Sequence, residues 1–112
     1  MVGKYRVVTL CGSTKFEKEF TEMQKKLTLA GYIVISVGLF MHEDENSAEW
    51  EKSGRKEMLD DMHKRKIDMA DEIFVIDVGE YIGKSTQSEI EYAESQGKPV
   101  YYYSGQIRTK VI

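Results

Sequence analysis

The feature that most constrains this chain is the stretch 71–99, where an apolar run, a glycine-bearing loop and a helical segment follow one another directly. Ile73-Phe74-Val75-Ile76 is short, largely β-branched and unbroken by polar residues, the pattern of a strand buried on both faces. Asp77 ends the run, and a loop carrying Gly79 and Gly83 follows. Ser85 or Thr86 then stands where it can cap a helix that Gly97 and Pro99 stop. Glu89 is expected in the first turn of that helix. Strand, glycine loop and helix N-terminus in this order make the usual corner for an anion in an α/β protein.

The rest of the chain reads as parallel α/β around this corner. Residues 5–11 form a first strand, turned by Gly12-Ser13-Thr14 into an amphipathic helix with Phe16, Phe20, Met23, Leu27 and Ala30 on one stripe. Thr14 and Glu17 have capping-box spacing, and Gly31 closes the helix. A second strand at 32–37 completes a βαβ unit, which requires parallel pairing. Residues 38–54 are irregular and acidic, the kind of long loop that serves as a lid or binding loop. Phe40 and Trp50 there either flank a flat ligand or patch a core edge or dimer contact. A second helix is expected from Arg55 to Ala70, with Leu59, His63, Ile67 and Ala70 on its inner face and Met58, Met62 and Met69 widening it. Strand 72–77, helix 86–97 and a last strand Val100–Tyr103 follow. The expectation is one domain over residues 1–112, a three-layer α/β fold with a small parallel sheet and helices on both faces. A sheet this small leaves an edge or face poorly covered, so a homodimer or higher homo-oligomer is expected.

Composition narrows the partners. The net charge of −3 over 112 residues provides no broad basic face for a nucleic acid polymer, and Lys64-Arg65-Lys66 reads as a solvated helix face. There is no apolar run of membrane-spanning length and no basic-then-apolar leader. The single Cys11 rules out an internal disulfide and suits a reducing cytoplasm. No metal or organic cofactor is expected, because His42 and His63 belong to no Cys or His ladder.

Two constellations carry candidate chemistry. Gly12-Ser13-Thr14 and Gly83-Lys84-Ser85-Thr86 both lie where a strand hands over to a helix, on one rim of a parallel sheet. Both read either as ordinary caps or as a paired anion site. Gly79 and Gly83 are one residue too close for a nucleotide-binding P-loop. Glu89, three residues after Thr86, reads either as half of a capping box or as a carboxylate nucleophile. His63 reads as a core histidine or as a proton-transfer group near neutrality.

Cys11-Gly12-Ser13, Ala70-Asp71 ahead of an apolar strand, and Glu89 followed by Tyr92-Ala93 and Ser95-Gln96-Gly97-Lys98 resemble the nucleoside 2-deoxyribosyltransferase-like superfamily. That group includes nucleoside deoxyribosyltransferases and 2′-deoxynucleoside 5′-monophosphate N-hydrolases. The resemblance spans nearly the whole chain and is most specific from Glu89 to Lys98. It implies a flavodoxin-like, Rossmann-like fold, a homodimeric building block and cleavage of the bond between base and sugar. Glu89 matches the nucleophile that forms a glycosyl-enzyme intermediate. Gly12 and Ser13 match a first phosphate loop, Lys15 a basic position beside it, and Ser85 and Thr86, after Gly83, a second loop, which favours a nucleoside 5′-monophosphate. His63, or Asp77, is expected to help the base leave or to position sugar hydroxyls. The chain departs from the pattern at His63, where relatives carry an aspartate, at Gly83, where they carry an acid or serine, and at Thr9 or Leu10, where an aromatic is usual. Those departures favour, as the alternative, a catalytically silent nucleotide-binding module of the same fold.

Overall fold

The computed structural model describes residues 3–38, 40 and 54–105. Its elements are β1 (Val7–Gly12), α1 (Glu17–Leu29), β2 (Ile33–Ile35), α2 (Arg55–Asp68), β3 (Glu72–Ile76), α3 (Lys84–Ser95) and β4 (Val100–Tyr102), with 3-10 turns at Thr14–Phe16 and Val78–Glu80. The four strands form one parallel sheet in the order β2-β1-β3-β4. All of β3 is buried, as an apolar strand between two helical layers must be.

Side-chain alternation along the strands sorts the core into two halves. Val8, Leu10, Phe74 and Ile76 face α1, where Phe20, Met23 and Leu27 close over them. Cys11, Ile73 and Val75 face the opposite side and meet Ile67 of α2 and Ile90 and Ala93 of α3. Burying each large apolar side chain contributes roughly 1.5–3 kcal/mol. This is the three-layer α/β arrangement that the pattern of strands and helices implies.

Polar groups fix the register. The Asp71 amide donates to the Val7 carbonyl (2.8 Å), while Asp71 Oδ2 accepts from the Val7 amide (2.8 Å). This reciprocal pair locks the start of β3 to the start of β1. The end of α2 is held from three directions: Thr9 Oγ1 donates to the Lys66 carbonyl, Lys98 Nζ donates to the carbonyls of Ile67 and Asp68, and Lys66 Nζ reaches the Ser36 carbonyl. α1 and α3 both close with a glycine at positive φ, Gly31 and Gly97, whose neighbours Tyr32 and Lys98 donate back to Leu27 and Ala93.

Several expected details change. Met58, Met62 and Met69 do not widen the buried face of α2 but are 52%, 45% and 69% exposed. Only His63, Ile67 and the following Ala70 turn fully inward, because adjacent helical positions diverge by about 100°. Ala30 is exposed rather than part of the α1 stripe. The 3-10 turn delays α1 to Glu17 and makes Ser13 the N-cap residue of that turn, accepting from the Lys15 amide. The second strand is shorter than expected, Ile33–Ile35. Among the described residues no helix is long and apolar enough to cross a membrane.

Gly12 sets how closely β1 and β3 approach at the C-terminal rim. Its φ is +148°, and a Cβ there would lie 2.8 Å from the Ile76 carbonyl oxygen. Gly31 also has positive φ (+97°), but open space surrounds it. Gly12→Ala is therefore expected to cost about 2–4 kcal/mol and Gly31→Ala about 1 kcal/mol, as measured by urea unfolding.

Candidate active site

β1 delivers Cys11 to the α2 side of the sheet one residue before the chain turns at Gly12. α2 lays His63 over it, with Nε2 3.3 Å from Cys11 Sγ. α3 brings Glu89 from a third direction, its Oε1 3.8 Å from His63 Nε2. All three side chains are buried, and their ligand-type atoms lie within 4.8 Å of one another. Among the described residues they are the Cys, His and Glu group able to hold a metal ion.

The placement of Glu89 removes the capping explanation. α3 begins at Lys84, with Gly83 as N-cap and no side-chain cap. Ser85 and Thr86 are therefore inside the helix, and Glu89, its sixth residue, belongs to the second turn rather than the first. Its carboxylate faces Cys11 and His63 and not the helix start, so dipole stabilisation is weaker there than a first-turn position would give.

Burial dominates the electrostatics. Desolvation, aided by the negative charge of Asp60, pushes the Glu89 carboxyl up to about 7. Desolvation and then Lys66 push His63 down to about 4, so its imidazole is neutral at pH 7. Burial and then Glu89 raise the Cys11 thiol well above its ordinary value. The His63–Glu89 contact is thus within ion-pair distance without being an ion pair at neutrality. Glu89 is the group poised between its two protonation states.

The two rim loops adjoin. Lys15 Nζ lies 3.5 Å from the Tyr81 ring centroid, and the Phe16 and Tyr81 rings meet edge-on at 5.9 Å. Gly12, Ser13, Thr14 and Gly83 are partly buried at this rim, Lys15 and Ser85 are exposed, and Thr86 is buried. Asp77 is buried and engaged elsewhere: its Oδ1 accepts from the Ser104 amide and its Oδ2 from the Ser104 hydroxyl. Phe40 packs edge-on against Phe20 (5.4 Å) in the core beneath α1, on the face opposite the Cys11 cluster. Trp50, His42 and the acidic loop lie outside the described residues. A groove of about 510 Å³ on the outer side of α1, lined by Thr21, Gln24, Lys25, Thr28 and Leu29, involves none of the site residues.

Cys11 is the member that sequence reasoning missed as a site residue. The available signal was strand parity, since Thr9 and Cys11 alternate with Val8 and Leu10 and so must face α2. Comparisons with protein-family profiles, with curated proteins and with solved structures find no match.

The raised Glu89 value has a sign that stability can read. The unfolded chain ionises this group near 4.5, whereas the folded chain retains the proton to about 7. Stability is therefore lost as pH rises through that window, by something on the order of 3 kcal/mol at most. Glu89→Gln has no such loss. Measured in chelator-containing buffer, its melting temperature is expected to rise relative to the unsubstituted protein between pH 5 and pH 8, with the His63 contribution common to both.

Proposed function

We propose that this protein cleaves or transfers the N-glycosidic bond of a nucleoside 5′-monophosphate through Glu89. The observation that carries the reading is the inward-facing Glu89 carboxylate, gathered with His63 and with Cys11, the residue just before the first rim loop, and free of any capping duty. In this reading the phosphate lies between Gly12-Ser13-Thr14 and Gly83-Lys84-Ser85-Thr86. Backbone amides and the start of α3 favour the anion, and Lys15 adds a cation at the seam between the loops.

Glu89 attacks the anomeric carbon as the carboxylate, breaking the carbon–nitrogen bond, and the bonding pair leaves with the base, which takes up a proton from water. Water or a second base then attacks the same carbon and frees the carboxylate. With a value of about 7, Glu89 is ionised in roughly half of the molecules at neutrality. His63 is neutral at that pH, so its part is to orient Glu89 or a sugar hydroxyl by hydrogen bonding, not to supply a proton as imidazolium. Asp77 has the lesser part, because Ser104 occupies both its oxygens. Self-association fits the exposed side of α2, where Met58, Met62 and Met69 share one side of the helix.

One observation favours the second reading, a nucleotide-binding module without turnover. Two candidate catalytic carboxylates are both closely held, Asp77 by Ser104 and Glu89 beneath His63 and Cys11. Incubation with a panel of ribo- and deoxyribonucleoside monophosphates, with chromatography for free base, separates the two. Catalysis predicts base release that Glu89→Ala lowers about a thousandfold or more. The silent module predicts a monophosphate-dependent rise in melting temperature with no base released.

A further inference from the structure

We propose that Cys11, His63 and Glu89 form a binding site for a borderline-soft divalent cation of the zinc and cobalt class. Three different donor types from three separate elements, β1, α2 and α3, converge within 4.8 Å. Two of the three edges come within about 0.4 Å of the size needed, and the third is no longer than 4.8 Å. Zinc bond lengths in a tetrahedron require about 3.5 Å between sulfur and nitrogen and about 3.4 Å between nitrogen and oxygen. The observed separations are 3.3 Å for Cys11 Sγ to His63 Nε2 and 3.8 Å for His63 Nε2 to Glu89 Oε1.

Donor chemistry selects the ion. A thiolate and an imidazole suit zinc, cobalt or ferrous iron, whereas calcium and magnesium require a shell of oxygens. Charge also balances. A dication with one thiolate, one carboxylate and one neutral imidazole is neutral overall, which removes the cost of isolating a carboxylate in the core. Coordination releases the Cys11 proton, and the Glu89 proton in the molecules that carry it, to solvent, and three protein donors leave a fourth position for water or a small anion. Because the donors come from three elements, the bound ion cross-links β1 to both helices of that layer.

The inference goes beyond the proposed glycosidase and opposes it at one point. A cation bound to Glu89 withdraws the electron pair that attack on a sugar requires, so the metal-loaded form is inactive and the metal-free form turns over.

The test uses the full chain, stripped with chelator and kept reduced, then titrated with cobalt(II). Cys11 is the sole cysteine of the sequence, so any thiolate-to-cobalt charge-transfer band reports that residue without mutagenesis. One equivalent of cobalt is expected to produce that near-ultraviolet band together with intense visible bands of four-coordinate cobalt, and zinc is expected to bleach both. Cys11→Ser loses the charge-transfer band, and His63→Gln binds roughly tenfold or more weakly. Absence of the band at stoichiometric cobalt overturns the inference, and so does a band of equal strength and affinity in His63→Gln. Base release assayed in chelator is scored separately, so failure of the metal site and failure of the glycosidase reading remain distinct.

Discussion

The pairing of β1 with β3 is the constraint on which the rest depends. Five residue pairs, from Val8 with Glu72 to Gly12 with Ile76, hold the two central strands in parallel. Parallel strands end on the same side, so the loops that leave them, at Ser13 and at Val78, emerge next to each other. The same register carries Cys11 beside Val75 and turns both toward the α2 and α3 layer. Asp71 sets the pairing at one end, through its exchange with Val7. At the other end a glycine is the only residue type that allows Ile76 so near.

Much of this architecture could be read from residue pattern because the pattern is local. The run Ile73–Ile76 is apolar on both parities, and it is the strand buried on both faces. Phe20, Met23 and Leu27 repeat at helical spacing and form the inner face of α1. Element ends were less legible, for a physical reason. The start of α3 is fixed by extended backbone at Gly83 rather than by a hydroxyl cap, so Ser85 and Thr86 suggested a boundary two residues late. The methionines of α2 misled in a different way. Their apolar character suits the core, but helical rotation points them to solvent.

The candidate site was legible one residue at a time and not as a group. Glu89 and His63 each stood out, yet 26 positions separate them, and Cys11 lies 52 positions before His63. No spacing rule links residues brought together by a sheet and two helices. Once assembled, the three shape one another's charge. Burial keeps the imidazole and thiol neutral and leaves the carboxyl near its balance point. A carboxyl in that condition responds to whatever approaches it, whether a sugar carbon or a cation.

The anchoring of the last turn of α2 bears on how anything reaches this group. Thr9 and Lys98 engage three successive carbonyls there, at Lys66, Ile67 and Asp68, and fasten that turn to the sheet and to the segment leaving α3. The last turn of this helix is thus tied on two sides, and displacing it would break bonds on both. His63 lies one turn before that anchor, so the bonds that fasten the turn also hold the imidazole against Cys11, and reaching the trio from that side means breaking them.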